Sequence, residues 1–370
     1  MKFLLIYVPN LRFTNNQLKD FKIVDICKLK QGNQYDLKQQ FTEEKSDLKR
    51  FIRIIDYTQK TNDIRYVYSN GSENYVDCTD VVVVRYGASA GYVGRGINGI
   101  IANNLFTIRP INSALLNKSY LYHYLNAPVI QKQLNNTQSS GMPALNFQTI
   151  NNLHILLPEY QEQRQIAVFL DKIDERIQTQ IKIIDSYFSL SKAISNTLIG
   201  QSKGNTRLRE CLNCYSSNTM ESVIKQEDLG DYPVYGANGI IKKINNYEIE
   251  YPSIAIVKDG SGVGKMFKLS GKYSILSTLN YLTSKPGYDI DYIYYALKQK
   301  SLKKYVVGSG IPHIYFKDYE QEKIYIPQNE LQQQNITSVL QSIDEEIGNE
   351  IKQLKNYELL KKYLLKNMFV

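Results

Sequence analysis

One amphipathic stretch occurs twice in this chain, and a duplicated long helix leaves few architectures open. Residues 157–198 place Ile166, Leu170, Ile173, Ile177, Ile181, Ile184, Tyr187, Leu190, Ile194 and Leu198 at steps of three and four. That spacing keeps one helical face apolar and predicts a single long helix. Pro158 suits a first helical turn, and Gly200 and Gly204 follow the last periodic residue. Residues 327–369 repeat the pattern, with Ile336, Leu340, Ile343, Ile347, Ile351, Leu354, Tyr357, Leu360, Leu364 and Met368 each 170 positions after a counterpart. The repeat reaches backwards: SGMPALNF at 140–147 answers SGIPHIYF at 309–316, and Pro158 answers Pro327, all at 169 positions. One residue is therefore inserted just after the second proline. A period near half the chain, without a third copy, means duplication of a whole unit rather than a solenoid.

At 370 residues the chain is long enough for two or three domains with ordinary cores. No apolar run approaches the ~20 residues of a membrane span. The N-terminal MKFLLIYV is followed by VPNLRF with no small-residue cleavage site, so it reads as structured and the expected location is the cytoplasm. Four cysteines, Cys27, Cys78, Cys211 and Cys214, include one C-x-x-C but no second pair to complete a zinc site. They are expected to be free, buried or half-buried thiols in a reducing cytoplasm, with a metal site as the lesser reading and no metal ligand assigned.

The net charge of +9 is unevenly placed. Residues 162–199 carry five acids and five bases and residues 330–369 six acids and five bases, so about +10 lies outside the helices. Neutral helices with an apolar seam suit protein contacts, and a basic excess elsewhere suits a polyanion such as nucleic acid. Thirty tyrosines add stacking and phosphate-reaching groups, although an A+T-rich coding bias raises Tyr, Asn, Lys and Ile together.

The expected organisation is a lead-in at 1–20, a first globular domain at 21–157, a helix at 158–205, a second domain at 206–326 and a second helix at 327–370. In the first domain VVVVR at 81–85 reads as a buried strand. The Gly-rich GASAGYVGRG follows it, then a strand near 105–109 and a helix over 119–134 that Pro128 ends or kinks. The second domain retraces this order with SIAIVK at 253–258, DGSGVGK at 259–265 and YIYYALKQKSLKKYV at 292–306.

Few motifs carry chemistry. The loop ending Gly264-Lys265 fails as a phosphate-binding P-loop, because Asp259 stands where the first Gly is needed and Met266 follows the Lys. Its backbone N–H groups are expected to be free for DNA phosphates or base edges, with Arg85, Ser89, Arg95, Lys258, Ser261 and Lys265 nearby; a plain β-turn fits equally. YPVYGANGII at 232–241 is a turn. There Tyr235 and Asn238 are candidates to face a base, since an amide pairs bidentately with adenine in the major groove; a glycine-dependent turn whose Asn caps backbone groups is the other reading. H-E-x-x-H, G-x-S-x-G and the Asn-Pro-Pro-aromatic tetrapeptide of amino-methyltransferases are all absent from the sequence. The chain does not read as an enzyme.

VPNLRF, YPVYGANGI, the paired SG-x-P segments and LPEYQEQRQIAVFLDKIDERI together resemble the specificity subunits of type I restriction-modification systems. The resemblance covers essentially the whole length. Its most specific part is a proline followed by Glu162-Gln163 and I-x-x-x-L-x-x-I-D; the second copy has Gln332-Gln333 instead. The resemblance implies two tandem α/β (α+β) target recognition domains, each followed by a long helix, with the helices paired antiparallel as a coiled-coil-like spacer of pseudo-two-fold symmetry. It also implies binding to double-stranded DNA, to two methyltransferase subunits and, in a full enzyme, to two restriction subunits, with no membrane partner. S-adenosylmethionine is then expected on the methyltransferase, with no cofactor in this chain. The partner surface is expected at the helix entries, around Pro158, Gln163, Ile166, Pro327, Gln333 and Ile336. A helix of ~37 residues spans roughly 55 Å, or ~16 bp, which suits two half-sites separated by unread base pairs. A helical scaffold that bridges proteins without nucleic acid is the alternative, separated from the first reading by salt-dependent retention on DNA.

Overall fold

The computed structural model describes residues 18–59, 61–135, 143–224 and 230–369. The VPNLRF lead-in and Ser140 to Met142 lie outside the described residues. The chain divides into two units, one of Met1–Ile181 with Lys352–Val370 and one of Lys182–Ile351. Each long helix is thus shared between the units, and each unit is described by itself.

In the first unit an antiparallel sheet runs in the order Cys27–Gln31, Leu105–Pro110, Val81–Val84, Val93–Gly94. Its central VVVV strand is buried throughout because both faces are covered. Val81 and Val83 enter a core with Phe106, Ile108, Tyr120 and Leu121, while Val82 and Val84 meet Ile52, Ile101 and Leu105. A run of four valines instead of an alternation is what two-sided burial requires. The second face is covered by a smaller sheet, ordered Arg65–Tyr68, Leu48–Ile52, Gly99–Ile101, Tyr75–Val76, with a parallel central pair. Helices Lys118–Leu125 and Pro128–Asn135 lie on the first face. Pro128 opens the second of them, at the position where a missing N–H costs least, so the break expected at Pro128 within 119–134 is where the helix divides.

The second unit repeats the plan. Leu212–Ser216, Leu279–Ser284, Ser253–Val257 and Met266–Leu269 form its antiparallel sheet. Ile254 and Ile256 face one core, Ala255 and Val257 the other. Its smaller sheet pairs Gly239–Ile244 with Tyr232–Gly236, and the latter in parallel with Ser274–Ile275. Helix Ile290–Lys298 begins at Asp289, whose side chain accepts the Asp291 N–H.

The long helices run Tyr160–Ser195, closed by a π-turn at Asn196–Gly200, and Glu330–Met368. Pro158 precedes the first helix instead of opening it. Within the first unit Asp174 pairs with Lys361 (2.5 Å), Arg176 Nε donates to the Tyr357 hydroxyl (3.1 Å) and Gln353 Nε2 to Gln180 Oε1 (3.1 Å). Residue numbers fall on one helix as they rise on the other, so the pairing is antiparallel. In the second unit Ile194, Leu198 and Ile199 share a core with Ile336 and Leu340. The predicted seam needs one correction: Leu190, Ile351 and Leu360 are 47%, 46% and 36% exposed, whereas Gln180 is buried. A 3.6-residue turn drifts against a 3.5-residue repeat, so a stripe read over ten positions leaves the contact in places. A half-buried Gln–Gln bond is also a register-fixing device that periodicity does not show.

Candidate nucleic-acid interface

The two Gly-rich loops are the tips of equivalent hairpins. Gly87 and Gly91 both have φ near 89°, and Gly260 and Gly264 have φ of 93° and 84°, conformations that L side chains resist. The Gly91 N–H donates to Val84 and the Gly264 N–H to Val257, each at 2.9 Å. The SG-x-P segments prove to be the other half of this device. The Gly87 N–H donates to the Pro143 carbonyl and the Gly260 N–H to Pro312, both at 2.9 Å, and Leu145 and Ile314 return N–H bonds to the carbonyls of Arg85 and Lys258. Two motifs that looked separate in sequence are one latch. The expectation of backbone N–H groups free for phosphates is narrowed here, because the N–H groups of Gly87, Ala90, Gly91, Gly260, Val263, Gly264 and Lys265 are used internally.

The candidate DNA-contacting side chains separate by unit. In the first, Arg85 Nη1 donates to Gln31 Oε1 (2.6 Å) and its guanidinium lies 4.2 Å from the centre of the Phe147 ring. Arg95 lies over Tyr122, donates to Ser119 Oγ (2.8 Å) and pairs with Asp171 and Asp174. Ser89 is half-buried and its carbonyl takes the Tyr92 N–H. Both arginines, expected to meet DNA, make these contacts within their own unit. In the second unit Lys258 and Tyr235 are half-buried, while Asn238, Ser261 and Lys265 are exposed. Lys265 Nζ donates to Asn238 Oδ1 (3.1 Å). A Cβ built on Gly262 would stand 3.5 Å from that of Ala237, so the loop lies against the Ala237-Asn238 turn. Two turns remote in sequence thus present one amide and one ammonium to solvent together.

The Ala237-Asn238 turn joins two strands directly, opposite the Gly236–Gly239 pair, and Gly239 has φ of 106°. At the matching place in the first unit, Leu48–Ile52 and Arg65–Tyr68 are joined through helix Ile54–Thr58. There Arg50, Arg53 and Arg65 are ion-paired with Asp56 or Asp63.

The expected partner residues are buried: Pro158, Gln163, Ile166, Pro327, Gln333 and Ile336. Gln163 Nε2 donates to the carbonyls of Leu115 and Pro158 while its Oε1 accepts the Asn117 N–H, each at 3.0 Å. Gln333 Nε2 donates to the Pro327 carbonyl (2.9 Å). The repeated proline–glutamine signature fastens each helix entry and does not face outwards. The flanking residues that do are Arg164, Gln165 and Phe169 on one helix and Gln334, Asn335 and Val339 on the other.

The final Asp of the I-x-x-x-L-x-x-I-D motif holds each long helix to its own unit. Asp174 binds Arg95 and Lys361, and Asp344, 170 positions later, accepts the Tyr295 hydroxyl (3.0 Å). His123, Asp171 and Asp174 bring ligand-type atoms within 4.8 Å of one another, but Arg95 and Lys361 already neutralise the carboxylates. Burial raises the Asp171 carboxyl, yet hydrogen bonds from His123 and Arg95 outweigh it and hold the group down at about 2. Burial pushes the His123 imidazole below its ordinary value. Among the thiols, Cys27 and Cys211 are buried, with pKa values pushed up by that burial to about 12, while Cys78 is exposed, contrary to expectation. Several tyrosines are core staples: Tyr120, Tyr124 and Tyr292 donate to the carbonyls of Leu156, His154 and Tyr325. Among the described residues no helix is long and apolar enough to cross a membrane.

The sequence model of the family described as the type I restriction modification DNA specificity domain matches residues 15–185 and 206–356. The type I restriction enzyme MjaVIII specificity subunit of Methanocaldococcus jannaschii is 34% identical over 169 residues, which are 42% of this chain and only 39% of that protein. An S subunit of a type I restriction-modification system from M. genitalium superposes with a TM-score of 0.68 at 18% identity, over 97% of this chain and 98% of that one. A chain solved in work on complex assembly and conformational transition of the type I R-M system gives 0.54 at 14%, over 97% and 98%. At such identities these two likenesses show a shared fold.

Proposed function

The chain belongs to the family of type I restriction modification DNA specificity domains, and from that premise we propose that it is the non-catalytic, DNA-reading subunit of a type I restriction-modification methyltransferase. Each globular domain reads one half of a bipartite site, and the long helices carry two methyltransferase subunits, joined by two restriction subunits where the system has them. The observation that carries this reading is one plan built twice, with the helix seats kept and the solvent-facing turns changed. A repeated seat suits two copies of one partner, and changed turns suit two different half-sites. The charge of about +10 outside the helices agrees.

Methyl transfer from S-adenosylmethionine belongs to the partner in this reading, and the isolated chain should not bind that cofactor. With Gln163 and Gln333 buried, the partner is proposed to dock on the exposed side of the same turns. Phe169 and Val339, 43% and 47% exposed and 170 positions apart, mark that face in both copies.

The test is retention of the chain on duplex DNA, assembled with its methyltransferase, as salt is raised. The expected result is an affinity that falls linearly on a log–log plot, with a slope counting phosphate contacts. An assembled complex that ignores DNA at low salt would leave the helical scaffold as the function.

A further inference from the structure

We propose that the second globular domain reads its half-site by laying the 232–244 hairpin into the major groove as a two-stranded ribbon, with Asn238 at the tip pairing with an adenine. The first domain reads without such a ribbon. This rests on the DNA-reading function above and names the element and residue that carry it out in one half only.

The major groove, ~12 Å wide, admits a two-stranded β-ribbon. The pair Tyr232–Gly236 and Gly239–Ile244 forms such a ribbon along one edge of a three-stranded sheet: Gly239–Ile244 is the outer strand, and Ser274–Ile275 flanks Tyr232–Gly236 on the inner side. Its tip is narrow because only two residues turn the chain and Gly239 takes a φ of 106°. Just past the tip Ile240 and Ile241 are 56% and 43% exposed. Two neighbouring apolar side chains exposed at the start of a strand have a use if they meet thymine methyl groups. Asn238 is exposed, and the Lys265 ammonium 3.1 Å from its Oδ1 fixes the amide from a separate loop. A carbonyl oxygen has two lone pairs, so Oδ1 retains one for an adenine amino group while Nδ2 donates to the ring nitrogen. The exposed Lys265 and Lys243 supply charge for the flanking phosphates. The first domain has a helix-bearing excursion in this place, and its arginines are neutralised by Asp56 and Asp63.

The test uses the full chain assembled with its methyltransferase, comparing wild type with Asn238→Ala and Lys265→Ala by methylation mapping of a random-site plasmid library and by DNA affinity against salt. Asn238→Ala should lower discrimination at one A·T pair by on the order of 10- to 100-fold in a single half-site, leaving the other half-site as in wild type. Lys265→Ala should weaken binding across sequences and reduce the salt slope by about one. Equal thermal midpoints establish that both variants fold. An Asn238→Ala complex that binds DNA and keeps both half-sites intact overturns the ribbon, as does relaxation in both halves together. A Lys265→Ala complex with an unchanged slope removes the lysine from the interface. Failure of the wild-type complex to bind DNA strikes the underlying function instead.

Discussion

The two units fasten the same helical seat with different chemistry. In the first, Arg95, His123 and Lys361 surround Asp171 and Asp174 in a network of ion pairs and hydrogen bonds. In the second, the corresponding helix carries Tyr295, whose hydroxyl binds Asp344 at 3.0 Å, with Lys298 4.0 Å away. The aspartate is constant and its partners are not. Duplication has therefore preserved where a helix must be gripped and left open how, which is also what the turns above the cores show: position kept, side chains exchanged.

That comparison can be strained first at its apolar ends. Phe369 packs edge-on against Tyr120 and Tyr124 at 5.2 and 6.2 Å, and Ile199, 170 positions earlier, is buried in the second core. Phe369→Ala should cost about 3–5 kcal/mol and Ile199→Ala about 2–5 kcal/mol. Peptide-resolved hydrogen exchange on the full chain should show the first variant loosening only the first unit and the second only the second unit. Equal loss in both units after either change would mean that they do not stand as separate cores.

Next come the aspartates. Asp174→Asn leaves Lys361 without its carboxylate and Arg95 with Asp171 alone, and should cost about 1.5–3 kcal/mol, whereas Asp344→Asn still accepts the Tyr295 hydroxyl and should cost about 0.5–1.5 kcal/mol. Urea unfolding of the two variants checks the order, and a larger loss at Asp344 would contradict the contrast drawn here. A smaller effect, of opposite sign, is expected at Gly348. It lies exposed in the second helix with open space around a built Cβ, so Gly348→Ala should raise stability by about 0.5–1 kcal/mol. A loss of stability there would reveal a contact on that face.

Acid sharpens the same contrast. Asp171, held at about 2, sits below the ordinary ~3.9, so its contribution is complete above pH ~4 and is lost as the pH falls through about 2. His123 is also depressed, so from about pH 6.5 downwards protons favour the unfolded chain. The phenol of Tyr295, pushed up by burial and by Asp344, stays uncharged over this range. Between pH 7 and 4 the first unit should lose exchange protection before the second; the reverse order would show that the His123 network is not what acid breaks.

Much of the fold was legible because it follows from period and repeat. The long helices, the two-sided burial of the VVVV and SIAIV strands and the Gly-rich turns are local consequences of side-chain pattern. The site was less so. Arg85 and Arg95 looked available because a charge near a Gly-rich loop has no sequence signature for the acid or ring that claims it; Asp171 lies 76 positions from Arg95. Gln163 looked like a surface signature because repetition marks constraint, and here the constraint is a buried amide satisfying three backbone groups. Asn238 was placed at a turn by its Gly and Asn-Gly neighbours, and the structure finds it exposed there, but its meeting with Lys265 depends on how two hairpins pack, which no local pattern encodes.

Methylation mapping of host DNA, with and without this chain, tests the central claim most directly. The account predicts a motif of two short half-sites separated by unread base pairs, abolished when the chain is removed. An uninterrupted motif, or methylation that persists unchanged without the chain, would contradict it.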